Sequence, residues 1–136
     1  MQARLLLIAI TLAALCGCVP PRTKETVLED TLLAYAQTVR WGNVEAALGF
    51  VDPEFAHAHP LTQLDAARWQ QVQVTAYSDE APVHTSETEV HQIVEIGLVN
   101  KNTQAARSVI DRQVWHYDEK SNHWWLMTGL PDITVH

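Results

Sequence analysis

The chain has little cysteine: two residues in 136, at positions 16 and 18. The long part that follows Cys18 contains none, so it has no pair of thiols that could form a disulfide. A domain in this part must therefore be stabilised by the packing of its apolar side chains.

Basic side chains are also scarce. Lys and Arg number 9 against 16 Asp and Glu, the formal net charge is −7, and no cluster of basic residues interrupts the acidic surplus. Because phosphate groups repel such a chain, we expect neither nucleic acid nor anionic lipid headgroups as partners. The length is that of one small domain.

Long hydrophobic runs are missing as well. The longest, residues 5–15, is eleven residues long. A helix that crosses a bilayer needs about 20 residues, so this run is too short to be one. Arg4 precedes the run and Leu15-Cys16-Gly17-Cys18 follows it, which is the arrangement of a bacterial signal peptide cut just before Cys18. The alternative is a secreted protein that is cut at another site.

With this arrangement the chain resembles the bacterial lipoproteins. The resemblance implies a signal peptide over residues 1–17 and a Cys18 that carries a diacylglycerol on sulfur and a third acyl chain on its amino group. Two or three such chains hold a protein at a membrane, because each buried methylene contributes about 0.8 kcal/mol. In this family an Asp directly after the cysteine favours the inner membrane. Val19 stands there instead, which implies the periplasmic face of the outer membrane.

Helical signals fill the first half of the remaining chain. Residues 18–25, which include two prolines, are predicted to form an extended tether. Apolar residues then recur every three or four positions over residues 26–41, which predicts a helix that Thr26 caps and Gly42 ends. Asn43, Asp52 and Thr62 are each placed to cap a further short helix.

From Gln71 onward, polar and apolar residues alternate as they do in strands. The alternation predicts strands over residues 72–77, 90–99, 105–117 and 123–128, with a polar loop over 78–86. In the first strand it places Tyr77 on one face with Gln73 and Thr75. Because the connections are short, neighbouring strands must be antiparallel. The predicted fold is α+β, with helices packed on an antiparallel sheet of about four strands, a domain over residues 26–130 and a tail over 131–136.

Two segments carry a second family resemblance. They are WGNVEAALGFVDPEF, after the first helix, and VIDRQVWHYDEKSNHWWLMTGL, at the end of the sheet. In them the chain resembles the NTF2-like (SnoaL-like, cystatin-like) α+β roll and a set of small proteobacterial lipoproteins with no assigned activity. The resemblance implies a curved sheet that wraps the long helix around a conical cavity, and domains that dimerise through their sheets. It implies no particular reaction, since one fold hosts many functions.

Asp111 is the candidate for chemistry inside such a cone. Related enzymes place an Asp base and hydrogen-bond donors there. On an ideal strand Asp111 shares a face with Gln113, Trp115 and Tyr117, an arrangement suited to proton transfer with Tyr117 or Tyr35 as partner. Alternation leaves open whether this face points inward. If it points outward, Asp111 is an ordinary surface ion-pairing residue.

Histidines supply a weaker candidate site. His57 and His59 follow Asp52 and Glu54 closely, a set of ligand types that suits a divalent metal. The surrounding prolines favour exposed histidines at a helix end instead, so we expect no metal and no cofactor.

Three of the five tryptophans, Trp115, Trp124 and Trp125, lie in the last 22 residues. Because consecutive strand residues face opposite sides of a sheet, one of Trp124 and Trp125 must be in the core and the other on the outer face. The outer tryptophan either shields the edge of the core or marks an interface.

The sequence therefore predicts a lipid-anchored protein of the outer membrane whose domain is a non-catalytic binding or interaction module. The predicted partner is a second copy or an envelope protein that docks on the sheet face bearing a tryptophan and part of the row of Gln73, Thr75 and Tyr77. Two alternatives stay open: a cone that binds a small molecule or catalyses proton transfer, and a purely structural envelope component.

Overall fold

The computed structural model describes residues 21–134, so the predicted signal peptide, Cys18 and the first residues of the tether lie outside the described residues. Helices come first and strands follow, as predicted. The helices are α1 (Lys24–Arg40), α2 (Val44–Ala47, continued by a 3₁₀ turn at Leu48–Phe50), α3 (Pro53–Ala58) and α4 (Gln63–Gln71).

Side-chain caps determine where the helices begin. Asn43, Asp52 and Thr62 each accept a hydrogen bond from the backbone N–H three residues later, which confirms the three predicted caps. The first helix begins earlier than predicted, because Thr23 and not Thr26 is its cap. The Thr23 hydroxyl accepts a hydrogen bond from the backbone N–H of Thr26.

The strands form one curled antiparallel sheet. They are β1 (Val72–Asp79), β2 (Val83–His84), β3 (Glu89–Asn100), β4 (Ala106–Asp118) and β5 (His123–Leu126). Their order is β1-β3-β4-β5, and β2 pairs with β3 beyond the end of β1. The α+β class is therefore as predicted. The short β2 lies in the expected polar loop, where two residues are too few to show alternation.

A β-bulge changes the face on which Tyr77 lies. The bulge falls between Val74 and Ala76 and shifts the register of β1 against β3. Val74 is paired with the buried Leu98 before the bulge, and Tyr77 is paired with the buried Ile96 after it. The extra residue thus moves Tyr77 to the inner face of the sheet, opposite to the prediction from simple alternation.

One hydrophobic core fills the space between the helices and the inner face of the sheet. Its largest members, Trp115 and Trp124, are fully buried. The core residues run from Leu28 to Ile133, so a chain that begins at residue 19 contains all of them. The segment expected to be a tail contributes to this core, since Pro131 and Ile133 are both buried.

Candidate functional site

Asp111 lies on the inner face of the sheet. Along β4 the side chains of Asp111, Gln113 and Trp115 are buried, whereas Ile110 and Arg112, on either side of Asp111, are exposed. Only 9% of Asp111 is exposed. The structure therefore answers the question that alternation leaves open.

Gln113 connects the buried polar groups. Its Nε2 donates to Asp111 Oδ2 at 2.8 Å and to the Tyr77 hydroxyl at 3.1 Å. Its Oε1 accepts a hydrogen bond from Trp115 Nε1 at 3.1 Å. Both donor hydrogens of the amide are thus used, which fixes its orientation. We call these four residues and Tyr35 the inner polar cluster.

Tyr35 reaches the cluster from α1. Its ring meets Trp115 and Phe50 edge-on, with centroids 5.2 and 5.5 Å away. Its hydroxyl is buried and has no hydrogen-bond partner among residues 21–134. Burial raises the pKa of Tyr35 well above its ordinary value, and the charges of Asp111 and Tyr77 raise it further. The hydroxyl therefore remains protonated in the field of Asp111.

The other acidic groups of the cluster are shifted in the same direction. Burial raises the pKa of Asp111, although the hydrogen bond from Gln113 opposes the shift. Burial likewise raises the pKa of Tyr77 to about 12, again against the effect of Gln113. A carboxyl group with a raised pKa beside two phenols is a suitable set for proton transfer, but a substrate must be able to reach it. Asp111 lines neither the cleft described below nor the two smaller cavities near it.

Tyr117 is separate from this cluster. Its hydroxyl donates to Asn122 Oδ1, its ring lies 5.2 Å from that of Trp124, and Lys24 Nζ lies 4.9 Å from its ring centroid. It therefore joins the β4–β5 turn to the start of α1. Of the two phenols predicted to assist Asp111, only Tyr35 belongs to the same cluster.

The two consecutive tryptophans take opposite faces, as a strand requires. Trp124 is fully buried, and its Nε1 donates to the backbone oxygen of Lys24. Trp125 lies on the outer face, where it is paired with His116 and its ring lies 4.1 Å from that of His123. Trp125 is thus the tryptophan available for an interface.

The two histidines of α3 lie at the surface. His57 and His59 are exposed, and the ring of His59 stacks on Phe55 at 4.4 Å. Asp52 is engaged as the cap of the helix. No group of three or more His, Cys, Asp or Glu residues within 21–134 is placed to hold a metal ion.

A cleft of about 420 Å³ lies between α3, α4 and the C-terminal segment, residues 128–134. Its lining is about equally polar and apolar, with apolar residues on its floor and charged residues at its rim. The apolar lining includes Leu48, Val51, Phe55, Ala56, Leu61, Trp69, Leu130 and Ile133. Asp65, Arg68 and Asp132 form the charged rim.

Hydrogen bonds hold the carboxylates of this rim in their charged form. Thr62 donates to Asp65 at 2.6 Å and Arg68 donates to it at 3.1 Å, which lowers the pKa of Asp65, with Thr62 the larger cause. The hydroxyl and backbone N–H of Thr134 donate to Asp132 and lower its pKa. Arg68 can therefore balance only one of two negative charges.

No motif in the sequence predicts this cleft. Its rim combines α4 with a distant C-terminal segment, and no local spacing relates the two. The one local signal is Gly129, two residues before Pro131: its φ is +77°, a conformation that favours glycine. A glycine and a proline so close together indicate a fixed turn, but not what the turn encloses.

Comparison with known proteins does not assign the chain to a family. No protein-family model matches the chain, and a search of the curated proteins returns no significant match. Within residues 21–134, no helix combines the length and the apolar character needed to span a bilayer. The function is therefore argued from the geometry.

Proposed function

We propose that this protein is a lipid-anchored protein on the periplasmic face of the outer membrane, and that its domain is a non-catalytic interaction module with an NTF2-like fold. The architecture supports the fold assignment: helices precede a curled antiparallel sheet, and α1 packs Tyr35 against Trp115 on the inner face. The apolar run before Leu15-Cys16-Gly17-Cys18 supports the anchor.

The proposed interaction role depends on the apolar character of the outer face of the sheet. Apolar side chains continue there, on the side turned away from the core. Ile93, Val114 and Trp125 are half-buried, and Ile110 is 55% exposed. A sheet face that remains in water is normally polar, so these residues favour a surface that another molecule covers. We call these four residues the outer sheet face.

Charge favours a second copy of this chain as the partner. Glu95 and Arg112 lie beside the outer sheet face, on positions paired with Ile110 and Ile93, and neither forms an ion pair with another residue of 21–134. A two-fold axis that passes between these two residues would bring Arg112 of each copy towards Glu95 of the other. The acidic surplus of the whole chain would otherwise oppose self-association.

The packed interior favours interaction over catalysis. Asp111 has the pKa shift expected of a catalytic acid, but buried side chains surround it. Gln113 and Trp115 occupy the space beside it with fixed hydrogen bonds. Such a cluster orients side chains within a core without binding a substrate.

We expect the chain from residue 19 onward to be a dimer in solution, and Ile110→Glu to weaken that dimer by at least about tenfold, which corresponds to roughly 1.4 kcal/mol. The reason is that the substitution places a charge among the apolar contacts. Light scattering over a concentration series measures the dissociation constant.

Leu64→Glu is the matched control, because Leu64 is an exposed leucine on α4, 59% accessible, and the substitution adds the same charge. Its dimer should be as tight as the original. A chain that is monomeric throughout the series would contradict the proposal, as would equal weakening by both substitutions.

The anchor makes a separate prediction for the full chain in a bacterial host. Labelled palmitate should be incorporated into the protein, and Cys18→Ala should abolish the labelling because it removes the sulfur that carries the diacylglycerol. Cys16→Ala, which removes the neighbouring cysteine, should leave the label in place. An unmodified amino terminus in the mass spectrum of the native protein would contradict the anchor.

A further inference from the structure

We propose that the cleft between α3, α4 and the C-terminal segment binds a small amphiphile that has an apolar body and one protonated amine. This site is distinct from the inner polar cluster and from the outer sheet face. It shares no residue with either.

The size of the cleft fits a small ligand. Pockets that bind small molecules usually measure about 300 to 1,000 Å³, and this cleft of about 420 Å³ falls within that range. Its lining combines apolar side chains, which can cover a hydrocarbon body, with the charged residues of the rim.

Aromatic rings form one wall. The rings of Phe55 and His59 are stacked at 4.4 Å with an interplanar angle of 24°, and both line the cleft. Gly129 lies directly behind Phe55, where a Cβ atom would be 2.6 Å from Cε1 of the ring. The wall is thus fixed in place by a close backbone contact. Aromatic faces attract an organic cation.

The charges at the rim determine whether a cationic or an anionic ligand is favoured. Asp65 and Asp132 are both anionic, and, His59 apart, Arg68 is the one basic residue among the lining residues, where it donates to Asp65. The rim therefore has a surplus of one negative charge at the mouth of the cleft. A ligand ammonium group gains from this surplus, whereas a carboxylate is repelled by it.

The cleft lies near the end of α1 that is remote from the start of the domain. The first turn of α1 lies beside residue 87, whose backbone oxygen accepts from Lys24 Nζ. The last turn adjoins the cleft, because Val39 and Gly42 line a small cavity that shares Trp69 and Leu130 with it. A helix of 17 residues is about 25 Å long, so the start of α1 and the cleft lie near opposite ends of this helix.

Three eight-carbon probes test the assignment: n-octylammonium, octanoate and 1-octanol. We expect calorimetry on the chain from residue 19 to show octylammonium binding at least about tenfold more tightly than octanoate, with octanol between them. In ¹⁵N-edited spectra the shifts caused by octylammonium should cluster at Phe55, His59, Arg68 and Gly129.

Two pairs of substitutions separate the effect of the rim carboxylates on binding from the effect of the net charge of the protein. Asp65→Asn with Asp132→Asn should weaken octylammonium binding about tenfold and leave octanol unchanged, because only the attraction to the amine is lost. Glu87→Gln with Glu119→Gln makes the same change in net charge on exposed positions outside the cleft and should have no effect. Thermal unfolding checks that both double variants are folded. If the Asp65→Asn, Asp132→Asn variant is not, Asp132→Asn alone is used.

The outcomes that overturn the proposal are distinct. Equal or tighter binding of octanoate overturns the charge assignment, and binding of none of the three probes overturns the site itself. Spectral shifts confined to the sheet overturn the location. None of these results depends on the dimer or on the anchor.

Discussion

Trp115→Ala is expected to lower the free energy of unfolding by about 3 to 5 kcal/mol, the usual cost of removing a large buried aromatic side chain. Trp115 is fully buried at the centre of the sheet, and its ring supports that of Tyr35 at 5.2 Å. Its Nε1 also donates to Gln113, which orients the amide that holds Asp111 and Tyr77. Urea unfolding of the chain from residue 19 measures the loss.

Trp41→Ala provides the control, because Trp41 is 87% exposed at the end of α1. Its effect should stay within about 0.5 kcal/mol, as for other surface positions. Trp115→Phe keeps a buried aromatic ring but leaves Gln113 Oε1 unpaired, which costs about 1 to 3 kcal/mol in addition to the loss of the smaller part of the indole. If Trp115→Ala costs no more than Trp41→Ala, the core does not depend on Trp115 as the structure indicates.

Local signals in the sequence are sufficient to predict where most of the helices begin. Asn43, Asp52 and Thr62 can be identified as caps because a cap needs only a short polar side chain and a free N–H three residues later. The first helix shows the limit of this rule. Thr23 and Thr26 are both threonines at the start of one apolar pattern, and only the fold selects Thr23.

The sheet is predictable in class but not in detail. Alternation identifies β3 and β4, yet it cannot say which face of β4 is covered by the helices, so the burial of Asp111 needs the structure. It also fails after the bulge in β1, where one extra residue turns Tyr77 inward to Gln113. The sequence therefore identifies Asp111 and Gln113 as candidates but misses the phenol that completes their hydrogen bonds.

The cleft is the part that the sequence predicts least. A segment that reads as a tail supplies Ile133 to its floor and Asp132 to its rim. Such a site arises from the packing of segments that are distant in the sequence, and no periodic pattern of residues predicts it. What the sequence does contain is the glycine that fixes the wall, and this residue allows the geometry of the cleft to be tested directly.

Gly129→Ala is expected to lower the free energy of unfolding by about 2 to 5 kcal/mol. A left-handed conformation costs a residue with a Cβ about 1 to 2 kcal/mol, and Gly129 has a φ of +77°. Forcing an atom into a packed site costs about 1 to 3 kcal/mol more, and here the new Cβ meets Phe55 Cε1 at 2.6 Å. Urea unfolding measures the total.

Two other glycines separate these contributions. Gly42 has a φ of +68° but no atom within 4 Å of a Cβ, so Gly42→Ala should show the conformational cost alone, about 1 to 2 kcal/mol. Gly49 has neither constraint, and Gly49→Ala should be neutral or slightly stabilising. If Gly129→Ala costs no more than Gly42→Ala, the contact with Phe55 is not tight. If the contact is tight, Phe55 must move towards the cleft, and the affinity for octylammonium should fall in Gly129→Ala while it stays unchanged in Gly42→Ala.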